Sequence, residues 1–165
     1  MKHVKKSVLL WYSAREMYEL VVGVEDYPKF LPWCESATVL ERRPADPATD
    51  APAGMTARLG LSYAGVRQSF TTRNEEVQGE SVKLKLVDGP FSQLDGAWRF
   101  KPLKQPDAAQ PVNPDEPVAC RVEFDLAYAF STRVFEAVLS PVFDQVANTF
   151  VDSFVKRAAQ VYGER

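Results

Sequence analysis

Few side chains in this sequence have the types and spacing that catalysis needs. His3 is the one histidine among 165 residues, and a Ser-His-Asp or Cys-His relay needs a histidine held inside a cleft rather than beside the N-terminus. Asp88 and Asp95 flank a Gly-Pro-Phe turn and could form an acid pair. Aspartate before Gly-Pro is more often a turn former that bonds its own backbone. The sequence therefore predicts no catalytic residue and no enzyme.

Metal and phosphate chemistry are not indicated either. Cys34 and Cys120 are far apart and match no metal-ligand or redox spacing. Gly54, Gly60 and Gly65 lack the spacing of a phosphate-cradling loop. The apolar run 8–12 is too short for a signal-peptide core. We expect no metal, two reduced cysteines and a cytoplasmic location, with peripheral contact at the inner membrane as an alternative.

The charges do not point to DNA. The net charge is −2, with 25% charged and 45% hydrophobic residues, as in an ordinary soluble domain. Arg42, Arg43, Arg99, Lys101 and Lys104 could form a modest basic patch. Solvated strand faces usually carry such charges. We therefore predict no DNA partner and only weak support for an RNA partner.

The longest predicted element is an amphipathic helix over 131–162. Its apolar residues recur at three- and four-residue steps: Phe135, Val138, Leu139, Val142, Phe143, Val146, Phe150, Phe154, Ala158 and Val161. Pro141 lies inside this stretch and either bends the helix or begins a second segment. Replacement of Pro141 by alanine is predicted to change ligand uptake more than folding.

The rest of the chain predicts strands with two short helices near the start. A strand at 4–12 precedes a capping box, Ser13 to Glu16, and a second short turn that Asp26 could cap. Alternating segments then predict six strands, at 35–43, 55–63, 66–77, 82–86, 94–103 and 118–130, with a hairpin turn at 64–65 and Pro-rich loops at 44–53 and 104–117. This order predicts one α+β domain over 1–165.

The widths of these elements raise the question of a pocket. Seven strands at ~4.8 Å spacing make a sheet roughly 34 Å wide, whereas a helix is about 10–12 Å across. One helix cannot cover such a sheet, even one that curls around it. The many aromatic side chains then either fill the remaining core or leave an apolar small-molecule site.

Five segments resemble a known family. They are YPKFLPWC at 27–34, FTTRN at 70–74, LVDGPFSQLDGAWRF at 86–100, CRVEFDLAYAFST at 120–132 and FVKRAAQVYG at 154–163. The chain is similar to the ribosome-association toxin RatA and coenzyme Q-binding proteins of the START-like, polyketide-cyclase-like superfamily. The resemblance implies a helix-grip fold: a curved seven-stranded antiparallel sheet around a long C-terminal helix, with two short helices after the first strand.

The same resemblance implies two functions without catalysis. The first is binding of a hydrophobic isoprenoid such as ubiquinone, in support of respiration or quinone biosynthesis. The alternative is a toxin that binds the large ribosomal subunit and blocks subunit joining, while a cyclase-type enzyme would need acid-base groups that the sequence does not offer. An isoprenoid tail gains roughly 25 cal/mol per Å² of buried apolar surface. The predicted ligand-binding residues are Leu31, Trp33, Tyr63, Phe91, Trp98, Phe100, Tyr128, Phe130, Phe143, Val146 and Phe150.

Overall fold

A computed structural model describes residues 1–103 and 119–164. The elements follow the predicted order: β1 (Lys2–Leu10), α1 (Ala14–Val22), a 3₁₀-helix (Val24–Lys29), β2 (Cys34–Arg43), β3 (Ala53–Tyr63), β4 (Val66–Val77), β5 (Ser81–Asp88), β6 (Phe91–Leu103), β7 (Ala119–Phe130) and α2 (Arg133–Tyr162). The α+β helix-grip fold is confirmed. The predicted second Pro-rich loop, 104–117, lies outside the described residues.

The seven strands form one antiparallel sheet in the order β1-β7-β6-β5-β4-β3-β2. The strands from β2 to β7 follow one another as neighbours, and β1 pairs along its length with β7. The helix α2 contacts β1, β7 and also β4, which lies three positions from β7 in the sheet. The sheet curves around α2.

The short helices begin partly as predicted. The Ser13 hydroxyl accepts from the Glu16 amide at 3.0 Å, and the Ser13 amide donates to the Glu16 carboxylate at 2.9 Å, so the capping box is confirmed. The predicted cap at Asp26 is wrong, because the 3₁₀-helix already begins at Val24 without a side-chain cap. The Asp26 carboxylate instead pairs with Lys29 at 2.9 Å.

The helix α2 runs without a break through Pro141, so the alternative of two separate segments is wrong. Thr132 caps its start by accepting from the Phe135 amide at 3.0 Å. The predicted apolar stripe is too wide, since Val138 is 53% exposed and Val161 is 47% exposed. Successive helical residues differ by about 100° in direction, and Leu139 takes the inward position beside Val138.

Aromatic rings fill much of the space between α2 and the concave face of the sheet. The Trp98 ring centroid lies 4.5 Å from that of Phe124, 5.6 Å from Phe150 and 5.1 Å from Phe154. The short helix α1 covers another part of this face, where Tyr18 packs edge-on against Phe100 at 5.9 Å. Two helices therefore share the concave face of the sheet.

Candidate functional site

A small enclosed cavity lies between α2 and the concave face. Its volume is about 60 Å³, well below the ~300–1,000 Å³ of typical small-molecule sites. Its walls are mostly apolar and come from the 3₁₀-helix, five strands and α2: Val24, Tyr27, Trp33, Ala57, Leu59, Phe70, Thr72, Asn74, Leu84, Leu94, Trp98, Phe124, Leu126, Phe143, Val146, Ala147 and Phe150. The cavity is a preformed apolar site that must widen to admit a large ligand.

Five of the predicted ligand-binding residues line this cavity: Trp33, Trp98, Phe143, Val146 and Phe150. Leu31, Phe100 and Tyr128 are buried in the same core but do not line it. Tyr63 is 41% exposed at the end of β3. Strand alternation puts Tyr63 on the same face as Leu59, but Tyr63 does not line the cavity. At that end of β3 the sheet extends beyond the part that α2 covers. The binding role of all eleven predicted residues stays a prediction.

Phe91 and Phe130 surround a second, smaller void of about 10 Å³. Phe70 and Phe143 line both voids, so their rings form the wall that the two share. The Phe91 ring packs 4.9 Å from Phe143 and 5.9 Å from Phe70, centroid to centroid. These rings therefore separate the cavity from the space beside Phe91.

Polar groups interrupt the apolar wall at two places, and the one on β4 was not among the predicted ligand-binding residues. The Thr72 hydroxyl donates to Asn74 Oδ1 at 2.8 Å, and both side chains are buried on β4. The indole nitrogen of Trp33 is buried and has no hydrogen-bond partner in the part of the chain that is described. The available signal was the alternation in β4, which places Thr72, Asn74 and Glu76 on its inner face.

The thiols and phenol near the cavity are held in their neutral forms. Burial raises the pKa of Cys34 to about 11 and that of Cys120 to about 12, so neither is a thiolate nucleophile at neutral pH. Burial also raises the pKa of Tyr27, whose hydroxyl donates to the Val21 carbonyl. The described residues contain no group of three potential metal-binding side chains. The predicted absence of catalysis stays a prediction.

No helix within residues 1–103 and 119–164 is long and apolar enough to cross a membrane. The cytoplasmic location and the peripheral contact with the inner membrane stay predictions.

The basic residues considered in the sequence do not form a free patch. Four of them pair with carboxylates: Arg42 with Glu25 at 2.7 Å, Arg43 with Glu41 at 3.1 Å, Arg99 with Asp125 at 3.0 Å and Lys101 with Glu123 at 3.2 Å. The fifth, Lys104, lies outside the described residues. These pairs neutralise the charges, as expected of solvated strand faces.

A different basic group lies on the convex face of the sheet. Arg73 of β4 is directly opposite Lys85 of β5, and both side chains are exposed. Lys83 follows on the same face of β5, and Arg58 of β3 lies on the same face nearby. Like charges directly opposite each other destabilise a sheet unless an anion lies between them. We call Arg58, Arg73, Lys83 and Lys85 the convex basic group.

Comparison with known proteins identifies the family. The family model described as polyketide cyclase / dehydrase and lipid transport matches residues 10–155. The chain belongs to this family. It is 38% identical to the ribosome association toxin RatA of Pseudomonas aeruginosa, over 98% of either chain. It is 26% identical to the coenzyme Q-binding protein COQ10 homolog B of Xenopus laevis, over 97% of this chain and 59% of that protein. The predicted family resemblance is confirmed.

One solved structure shows that the fold also occurs in enzymes. The Zhui aromatase/cyclase from Streptomyces sp. R1128 has a TM-score of 0.69 at 15% identity, with 99% of each chain covered. At that identity the likeness concerns the fold alone. The two relatives named above are a toxin and a binding protein rather than enzymes. Fold by itself therefore does not separate the two classes.

Proposed function

We propose that this protein associates with the ribosome, binding the large subunit and blocking its joining to the small subunit. The observation that carries this proposal is the 38% identity to RatA over 98% of both chains. The match spans nearly the whole chain, so it is not confined to one part of the fold. This identity supports ribosome association, the alternative given in the sequence analysis, more strongly than quinone binding, the main interpretation given there.

The convex basic group is the surface that suits an RNA partner best. Arg73 and Lys85 face solvent side by side, and a phosphate bound between them would relieve their repulsion. Glu75 and Asp95 lie opposite Lys83 and Lys85 on neighbouring strands, so the local excess of positive charge is modest. Contact through a few phosphates, rather than a broad basic surface, is therefore expected.

Cosedimentation with purified large ribosomal subunits tests this proposal. Binding through phosphates should weaken steeply as the salt concentration rises. The variant Arg73→Glu should dissociate at lower salt than the unmodified protein, and its fold should survive because the new carboxylate lies opposite Lys85 on β5 and Thr56 on β3. Lys156→Glu, an equal change of charge on an exposed residue of α2, is the control and should bind normally. Absence of binding by the unmodified protein, even at low salt, would refute the proposal.

We also propose that the cavity binds a hydrophobic ligand, ubiquinone or a similar isoprenoid quinone. The enclosed apolar cavity between α2 and the sheet favours this second function. The name of the COQ10 relative supports the same ligand class. The two proposals concern opposite faces of the sheet, so they are compatible in one molecule.

Mass spectrometry of organic extracts tests the ligand proposal. Protein purified under native conditions should release a quinone-like lipid, and ligand-free protein should take up added ubiquinone. Extracts without such a lipid, together with no uptake of ubiquinone, would argue decisively against this function.

A further inference from the structure

The inner face of β4 is unusually polar for a strand in the middle of a sheet. Phe70, Thr72, Asn74 and Glu76 alternate along this face, and the first three line the cavity. Inner faces that pack on a helix normally carry apolar side chains. Thr72 is 6% exposed and Asn74 is 5% exposed, so water does not compensate for their polarity.

Two donor groups at this wall, the Trp33 indole and the Asn74 amide, have no acceptor among the described residues. Thr72 occupies Asn74 Oδ1, which leaves the two N–H donors of the Asn74 amide. Trp33 is 4% exposed, and its indole N–H is buried without a partner. A buried donor that makes no hydrogen bond is destabilising, because it has lost its bonds to water. A buried indole N–H without a partner and an amide nitrogen without an acceptor, both at one apolar cavity, are the arrangement expected where a ligand supplies the acceptor.

The charges of the wall limit what that acceptor can be. Of the described side chains that line the cavity, none is cationic and none is anionic. A phosphate or carboxylate head group would therefore enter without a counter-charge, at a large desolvation cost. A neutral carbonyl oxygen needs only the N–H donors that are present.

We infer that Trp33 and Asn74 are specificity-determining residues that select neutral, carbonyl-bearing apolar ligands. The carbonyl end lies against Trp33 and β4, and the apolar remainder extends past Phe70 and Phe143 toward Phe91. This inference rests on the proposed binding of a hydrophobic ligand and deepens it. It distinguishes a quinone from a hydrocarbon or a fatty acid of the same length.

Two probes of matched shape test the inference. One is a benzoquinone with a decyl tail, and the other is decylbenzene, which keeps the ring and tail but has no carbonyl group. We expect the quinone to bind at least about tenfold more tightly, since a tenfold change corresponds to about 1.4 kcal/mol and one buried donor accounts for that amount.

Three variants separate hydrogen bonding from packing. Trp33→Phe keeps an aromatic ring but removes the N–H, and Asn74→Leu removes the amide at similar size. Each should weaken the quinone about tenfold and leave decylbenzene unchanged. Phe150→Leu, which removes apolar bulk from the same cavity, should weaken both probes alike. Thermal unfolding of each variant confirms that it is folded, and one folded donor variant is enough for the test.

The outcomes distinguish the specificity role of Trp33 and Asn74 from the ligand-binding function itself. Equal affinity for the two probes, or equal weakening of both by the donor variants, overturns the role of Trp33 and Asn74 while leaving the cavity as an apolar site. Failure of both probes to bind overturns the proposed ligand-binding function, and the inference with it.

Discussion

At the scale of single residues, one polar cluster joins α2 to the strands β1 and β7. The Lys2 ammonium lies 2.5 Å from Asp144 Oδ2, and the Tyr128 hydroxyl donates to Asp144 Oδ1 at 2.5 Å. Lys2 also donates to the Ser140 hydroxyl. Burial opposes ionisation of Asp144, but these hydrogen bonds outweigh it and hold the pKa of its carboxyl below the ordinary 3.8. The ionised carboxylate therefore ties α2 to β1 and β7.

The variant Asp144→Asn should test this cluster through the pH dependence of stability. Because the folded-state pKa is lowered, the stabilisation is fully present above pH 3.8 and is lost as the pH falls through the folded-state value. We expect a loss on the order of 1 kcal/mol at pH 7, since the pair is partly solvated. Thermal unfolding should show a lower midpoint at pH 7 and a shrinking difference at lower pH. Asp152→Asn, exposed on the same helix, is the control.

At the scale of elements, β4 depends on a close approach by its neighbour β3. A Cβ atom added at Gly54 would lie 2.1 Å from the Asn74 carbonyl oxygen and 2.8 Å from the Arg43 guanidinium. Glycine at this position allows Arg43 to donate to that carbonyl at 3.1 Å. Arg43 belongs to β2, the strand at the edge of the sheet. Its hydrogen bond therefore holds the segment of β4 that carries Thr72 and Asn74.

Two glycine substitutions in β3 should differ in their cost. Gly54→Ala forces the backbone of β4 away, so we expect about 1–3 kcal/mol of destabilisation. Gly60→Ala would place Cβ 2.4 Å from the Ser36 hydroxyl oxygen, which can move by rotation of a side chain. Urea unfolding should therefore show a clearly smaller loss for Gly60→Ala. Similar losses for both variants would show that the approach of β3 to β4 is not the limiting contact.

At the scale of the whole molecule, the cavity is the space that side chains leave unfilled between α2, the 3₁₀-helix and the concave face of the sheet. The helix α1 packs on β5, β6 and β7, whereas α2 packs on β1, β4 and β7. Large rings from both helices and the sheet fill most of the space, and a void of about 60 Å³ remains. The void is small because Phe70 and Phe143 lie between it and the space beside Phe91.

A substitution that fills this void should weaken ligand binding without destabilising the fold. Ala57 is 2% exposed on the inner face of β3 and lines the cavity, and valine suits a strand. Ala57→Val should stabilise the protein by about 0.5–2 kcal/mol, as cavity filling commonly does, and should weaken quinone uptake. Ala97→Val, the same change on the convex face of β6, should leave uptake unchanged. Normal uptake by Ala57→Val would place the ligand elsewhere.

The elements of this fold could be predicted from the sequence, because each depends on residues close together in the chain. The two-residue alternation predicted the strands, the three- and four-residue steps predicted α2, and the reciprocal cap at Ser13 and the turn at 64–65 followed from local chemistry. The turn residues Ala64 and Gly65 have φ of 50° and 80°, as a two-residue hairpin requires.

Which of these residues line the cavity could not be predicted from the sequence and became clear only in the folded protein. Alternation assigns a side chain to a face, but what covers that face depends on residues distant in the sequence. Tyr63 and Leu59 share a face of β3, yet the cover of α2 reaches only the second. Folding brings the 3₁₀-helix, the sheet and α2 around one cavity and excludes water from it. Only there do two groups become significant: the indole N–H of Trp33, which has no partner among the described residues, and the buried amide of Asn74.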